Sequence, residues 1–173
     1  MSNGRRSVIL VCLFAVVASA NLYADGVTPM AVLPFEERGT GVKGYGDKVT
    51  DILFASLVTD PDLYLVDRAD IAKLIQEQEL NLSGAVTPGQ ATQVGQLTGA
   101  KILIAGSIVE ADNTLYVVAK IIGTETSRVL GESVKGKTDD QIGPLVEELA
   151  KKVAATIKAK SAELIAPRHQ LTK

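Results

Sequence analysis

One glycine-rich stretch has a spacing that could bind a nucleotide phosphate. Residues 39–44 read GTGVKG and match the pattern G-x-G-x-x-G between a predicted strand and a predicted helix. In dinucleotide-binding folds such glycines let the backbone approach a pyrophosphate at a helix N-terminus. Asp67 ends the next predicted strand, where such a site places the acid that binds the ribose.

The neighbouring charges oppose a nucleotide site. Glu36, Glu37 and Arg38 separate the strand from the first glycine, so two carboxylates would lie beside the pyrophosphate. Asp67 is better explained as a helix cap. A Walker A loop is excluded because glycine follows Lys43, where serine or threonine would bind magnesium. We therefore interpret 39–44 as a flexible loop whose glycines serve turns, and keep a nucleotide-binding enzyme as an alternative.

The sequence offers no suitable residues for hydrolytic or metal chemistry. The single histidine, His169, lies in a predicted C-terminal tail, and the single cysteine, Cys12, lies in an N-terminal apolar run. The carboxylate pairs at 139–140 and 147–148 are adjacent in sequence and point in different directions on a helix. We predict no catalytic residue, no cofactor, no metal site and no enzymatic activity.

The N-terminus has the pattern of a secretory signal. Arg5 and Arg6 precede an apolar run over 8–17, and small residues follow at 18–20. We expect a signal peptide over 1–20, cleaved near 20 or at 24, and an exported protein; a retained anchor or a buried helix is the alternative. Cys12 lies in the middle of the run, which does not suit a lipid anchor. No stretch approaches the roughly 20 apolar residues of a spanning helix.

Composition indicates one domain with an aliphatic core. The 173 residues include 18 basic and 20 acidic side chains, for a net charge of −2, and no tryptophan. A nucleic-acid partner is not expected, because it calls for a basic surface. The length left after processing suits a single domain, which we assign to 27–165, with a flexible tail over 166–173. Without a cysteine in that domain, stability depends on burial of apolar side chains.

Hydrophobic spacing predicts alternating strands and helices in the first half. A strand lies within 27–35, a loop covers 36–46, and a helix runs from Asp47 to the proline at 61. A second strand over 63–66 leads into a helix capped by Asp67. The side chains of this helix that should face inward are Ile71, Leu74 and Ile75. Residues 87–90 form a capping box with proline at the first helical position. The helix that follows should turn inward the side chains Ala91, Val94 and Leu97.

The second half of the chain favours consecutive strands. Residues 101–109 are continuously apolar and predict a central strand covered on both faces. Asp112 and Asn113 predict a tight hairpin into 115–122, and a looser turn leads to 129–134. A final amphipathic helix follows from 138 or 144. This order of elements predicts an α/β fold with a mixed sheet packed with helices.

Three segments, in this order, resemble the CsgG family: MAVLPF at 30–35, LVDRADIAKLIQEQELNLSG at 65–84 and VGQLTGAKILIAGS at 94–107. The resemblance implies an anticodon-binding-domain-like sandwich in the periplasm of a Gram-negative-type cell, or peripheral to the outer membrane. It implies no enzymatic activity, and a role through protein-protein contacts in curli-type secretion or cell-envelope assembly. The positions that follow the family pattern are Arg68, Glu77, Gln78, Gly99, Ala100, Gly106 and Ser107.

Departures from the family limit what is carried over. The family's channel protein is a lipoprotein with long insertions that form membrane-spanning hairpins, whereas turns of a few residues join the last three predicted strands here. We therefore expect a soluble domain whose partners are envelope or secretion proteins, with self-association into a homo-oligomer left open. The alternatives are an oligomeric outer-membrane secretion channel subunit and a regulator like the relatives that activate penicillin-binding proteins.

The predicted partner surface lies on the polar face and at the exit of the helix capped by Asp67. It consists of Arg68, Glu77, Gln78, Leu80 and Leu82. The two leucines extend apolar character past the inward stripe of the helix, and exposed apolar residues often mark protein contacts. The structural alternative is that Arg68 and Glu77 pair locally while Leu82 closes the core.

Overall fold

Short strands and three helices make up the first half of the fold, and a run of three strands and a long helix follows. The computed structural model describes residues 28–77, 86–137 and 141–166. The predicted signal peptide, the tail from 167, and Gln78, Leu80 and Leu82 of the predicted surface lie outside these residues. The elements are β1 (Pro29–Val32), β2 (Glu36–Arg38), α1 (Tyr45–Val58), β3 (Tyr64–Leu65), α2 (Arg68–Glu77), α3 (Pro88–Thr98), β4 (Ile102–Ala111), β5 (Thr114–Gly123), β6 (Val129–Lys137) and α4 (Ile142–Ile165).

The described strands form one mixed sheet in the order β3-β1-β4-β5-β6, with β2 also pairing β4. β1 is parallel to β3 and β4, and β2 is parallel to β4, whereas β4, β5 and β6 are antiparallel neighbours. Helical crossovers give parallel pairs, and short turns give antiparallel ones. Asp112 and Asn113 have φ values of 50° and 59°, as a two-residue hairpin turn requires. The predicted mixed α/β fold is confirmed.

Helices pack against both faces of the sheet. The first face lies under α1 and α4, where Ile104, Val117 and Ile121 are fully buried. The second face lies under α2 and α3, where Leu103 and Ile122 are buried. Each helix presents one apolar stripe to the sheet, so the two hydrophobic clusters lie on opposite sides of the same strands.

The prediction of a loop over 36–46 was wrong in part. β2 lies within it, a short 3-10 helix occupies Thr40–Val42, and α1 begins at Tyr45, before the predicted start at Asp47. Pro34 has no N–H group and interrupts pairing, but the chain then pairs with the far half of β4. β2 is polar because it is largely exposed, so its sequence carries no apolar strand pattern.

Two burial predictions also need correction. Leu97 is 42% exposed, whereas Ala91 and Val94 are buried as predicted. Gly95 takes the contact position at that level, against Thr124 in the turn after β5, so the inward stripe of α3 excludes Leu97. β4 was predicted to be covered on both faces, but beyond Gly106 only Ile108, on the first face, is fully buried. Beyond the end of α3, the side chains of β4 on the second face of the sheet are only half-buried.

Candidate functional site

The glycine-rich loop is closed by carboxylates of its own chain. Oε1 of Glu37 accepts a hydrogen bond from the backbone N–H of Gly46 at 2.7 Å, in the first turn of α1. Backbone N–H groups of Gly46 and then Gly44 lower the pKa of Glu37 below its usual value. The group that a helix N-terminus would offer a phosphate is thus already bonded to a carboxylate.

A second carboxylate lies against the same loop. A Cβ atom on Gly41 would overlap the carboxylate of Glu110, at the end of β4. Gly44, with φ 80°, turns the chain into α1. The glycines therefore serve a turn and the close approach of two acidic side chains, Glu37 and Glu110. A phosphate at this position would meet negative charge.

The predicted partner surface is anchored at its N-terminal end. The backbone N–H of Ala69 donates to Oδ1 of Asp67 at 2.7 Å, so Asp67 caps α2 as predicted. Arg68 forms an ion pair with Asp51 of α1, and Glu77 lies 3.8 Å from Nζ of Lys73. Arg68 and Glu77 therefore do not pair with each other. Arg68 instead ties α2 to α1, a contact that spacing along α2 could not indicate.

The motif at 94–107 has a structural explanation at the junction of α3 and β4. A Cβ on Gly95 would lie 2.5 Å from Cβ of Thr124, which is 3% exposed. The Thr124 hydroxyl donates to the carbonyl oxygen of Ala100 at 2.9 Å. Gly99 ends α3 with φ 74°. These residues fix how closely α3 approaches the sheet.

The far end of that motif lies under an aromatic ring. A Cβ on Gly106 would lie 2.7 Å from Cζ of Phe35, and closer still to Cε1 of that ring and to the carbonyl oxygen of Val118. Phe35 is 5% exposed and its backbone N–H donates to Oγ1 of Thr50 at 3.0 Å. The absence of a side chain at Gly106 therefore lets Phe35 cover the centre of the first face.

A groove of about 510 Å³ separates α1 from α4. Its floor is formed by small side chains such as Ser56 and Ala154, and its rim by charged ones. Lys158 donates to Asp60 at 2.9 Å and to Asp62 at 2.8 Å. These hydrogen bonds lower the pKa of Asp60 and raise the pKa of Lys158. Both effects favour the charged forms and describe a structural ion pair.

One surface was not predicted from the sequence, and we name it the open sheet face. It is the second face of the sheet beyond α3, and among the described residues no helix covers it. Its members follow from the strand register, since paired residues share a face. They are Glu36, Arg38, Ser107, Val109, Tyr116, Val118, Lys120, Gly131, Ser133 and Lys135. The alternation in 114–120 is the signal that could have found it.

Within 28–77, 86–137 and 141–166, no group of three or more histidine, cysteine, aspartate or glutamate side chains is placed to hold a metal ion. None of the helices found in those ranges is both long enough and apolar enough to cross a membrane. Two surfaces are candidates for contact with other molecules: the predicted partner surface on α2 and the open sheet face.

Comparison with solved structures supports the fold. The C-terminal domain of LpoB from Salmonella enterica matches with a TM-score of 0.53 at 18% identity, covering 65% of this chain and 87% of that one. The Escherichia coli LpoB domain matches with a TM-score of 0.51 at 21% identity, covering 66% and 87%. A PelC dodecamer from Paraburkholderia phytofirmans matches at 0.45 and 12% identity, covering 77% and 89%. Identities this low indicate a shared fold alone, and the PelC similarity carries no information on the assembly of this chain.

Comparison with sequences identifies the family. A search of curated protein sequences found no match. The family model described as "Curli production assembly/transport component CsgG" matches residues 35–143, from the residue before β2 to the beginning of α4. Because this match covers more than half of the chain, the protein belongs to the CsgG family.

Proposed function

We propose that this CsgG-family protein is non-enzymatic and acts in the periplasm through protein-protein contacts, in curli-type secretion or cell-envelope assembly. The observation that carries the proposal is the hydrogen bond from Gly46 to Glu37. This hydrogen bond engages the backbone at the one loop whose sequence pattern suggested a nucleotide site. It therefore favours a role through surface contacts over nucleotide binding. The family description, an assembly or transport component, supports the same conclusion.

The contact surface that we propose is the one predicted from the sequence: Arg68, Glu77, Gln78, Leu80 and Leu82. The described part of this surface has a fixed position, because the ion pair of Arg68 with Asp51 holds α2 against α1. The outward side of α2 is exposed at Lys73, Gln76 and Glu77. A rigid polar helix face followed by apolar residues resembles the polar rim and apolar centre of protein interfaces.

The surface is tested by cross-linking pull-down from intact cells with Leu82→Glu. The matched control is Leu97→Glu, because Leu97 is an exposed leucine on α3 outside the proposed surface. We expect Leu82→Glu to lower recovery of cross-linked envelope proteins by about tenfold, as loss of an interface hot spot does. The control should recover them as wild type does, and both variants should have the same urea midpoint.

Three results would overturn the proposal. Equal recovery by the two variants would exclude the α2 surface. Fractionation that leaves the processed protein in the cytoplasm would exclude the periplasmic role. A melting temperature raised by millimolar NAD or ATP would restore the nucleotide alternative. Conductance of the purified protein in planar bilayers would instead support a channel subunit.

A further inference from the structure

The open sheet face has an apolar centre within a polar surround. Val109 and Tyr116 are register partners on β4 and β5, and Val118 lies two residues further along β5 on the same side. Tyr116 is 38% exposed, and the two valines are half-buried. Ser107 and Ser133 flank Val118 on the neighbouring strands. Aromatic and β-branched side chains within a polar rim are typical of protein contact sites.

The charge of this face is opposite to that of the chain. Arg38, Lys120 and Lys135 lie on it, with Glu36 as its one acidic member, whereas the chain as a whole has a net charge of −2. Glu36 is bound to Arg38 at 2.7 Å. Lys120 and Lys135 form no ion pair with a described residue. Two lysines that have no ion pair within the described part of the chain, beside an apolar centre, favour a partner that carries carboxylates.

The size of the face decides what kind of occupant fits. Four strands spaced by about 4.8 Å and five residues of β5 at about 3.4 Å each give an area of roughly 300 Å². A stable interface buries roughly 800 Å² on each partner. A second copy docked through this face alone would therefore bury too little surface. A single short segment of a partner protein matches the area.

We propose that the open sheet face binds an acidic segment of a partner protein, whose apolar side chains pack on Val109, Tyr116 and Val118 and whose carboxylates contact Lys120 and Lys135. The open sheet face shares no residue with the predicted partner surface on α2. Each surface can therefore fail without the other.

The test is a titration of ¹⁵N-labelled protein with two capped peptides at millimolar concentration, EVEVEVE and KVKVKVK. Both supply the same valines, and they differ only in the sign of charge. We expect the acidic peptide to move the amide signals of Ser107, Val109, Tyr116, Val118 and Lys120 in a saturable way. The basic peptide should leave these signals in place.

Charge reversal provides the matched control. Lys120→Glu combined with Lys135→Glu should weaken binding of the acidic peptide by about tenfold or more and permit binding of the basic one. Lys43→Glu in the turn before α1, combined with Lys151→Glu on α4, makes the same change in net charge away from the open sheet face and should leave the affinity unaltered. All four positions are at least partly exposed, so the amide spectra should remain those of the folded protein.

Other outcomes identify other occupants and overturn the proposal. Shifts caused equally by both peptides, or by neither, would exclude a charge-selective site. A dimer in sedimentation equilibrium that the Lys120→Glu, Lys135→Glu variant abolishes would assign the face to a second copy. Shifts caused by vesicles of anionic phosphatidylglycerol, and not by the acidic peptide, would assign it to a lipid surface.

Discussion

Replacement of Gly106 by alanine tests how the centre of the first face is built. The added Cβ would lie 2.7 Å from Cζ of Phe35 and closer to a β5 carbonyl oxygen, whereas carbon atoms in ordinary contact lie about 3.5–4.0 Å apart. The ring, which is 5% exposed, or the β4–β5 ladder must therefore move. Overpacking of this kind costs about 1–3 kcal/mol, and backbone atoms cannot rotate away, so the upper half of that range applies.

The net effect includes a gain from the alanine itself. Removal of glycine from a strand stabilises a protein by about 0.5–1 kcal/mol. We therefore expect Gly106→Ala to lower the free energy of unfolding by about 1–2 kcal/mol, which moves a urea midpoint down by about 1 M. Far-UV circular dichroism is the suitable probe because the chain has no tryptophan.

Gly131→Ala is the matched control for this prediction. Gly131 also lies in a strand, but the nearest heavy atom to its added Cβ is 3.9 Å away. The control should unfold at an unchanged or slightly higher urea concentration. If both variants shift the midpoint in the same direction by the same amount, the close approach of Phe35 to Gly106 is not what sets the stability at that position.

Three further predictions concern other parts of the fold. Gly95→Ala should destabilise the protein by about 1 kcal/mol despite the better helix propensity of alanine. Gly89→Ala is the control, because a Cβ added there has no heavy atom within 4 Å, and it should not destabilise the protein. Equal urea midpoints for the two variants would refute this prediction. Thr87→Ala should lower the free energy of unfolding by about 1 kcal/mol through loss of the capping box, and an unchanged midpoint would argue against that box. Lys158→Met should lower stability at pH 7, and this effect should shrink as the pH falls below about 3.8 or rises above about 10.5. Because the pKa of Asp60 is lowered in the folded protein, its contribution to stability is present above pH 3.8 and is lost on acidification. Because the pKa of Lys158 is raised, its contribution to stability is present below pH 10.5 and is lost at higher pH. A wild-type to variant difference in urea midpoint that is independent of pH would contradict the ion pair.

Local signals in the sequence predicted local structure well. Asp67 caps α2, Thr87 and Gln90 form a capping box, and Asp112 begins the hairpin turn, because each of these acts on atoms a few residues away. β2 was missed because its strand character comes from pairing with β4, about seventy residues later. A polar segment that gains structure only from a distant partner carries no hydrophobic pattern of its own.

The surfaces were harder to predict than the elements. The partner of Arg68 is Asp51, on another helix, so the spacing within α2 could not reveal it. The prediction that Leu97 of α3 faces inward was wrong because a glycine takes the contact position. A search for apolar side chains overlooks a glycine. The open sheet face depends on how far α3 extends across the sheet. That is a property of packed helices, and no single strand encodes it.

The position of α4 has a consequence for how the chain acquires its structure. α4 is the last described element to be synthesised, yet it covers the apolar side of β5 and β6 and contacts the loop after α1 through Lys158. Until the residues of α4 leave the ribosome, no other described helix covers that side of β5 and β6. The hydrophobic cluster over β5 and β6 can therefore form only after α4 has been synthesised, and a nascent chain that lacks α4 would be a substrate for chaperones.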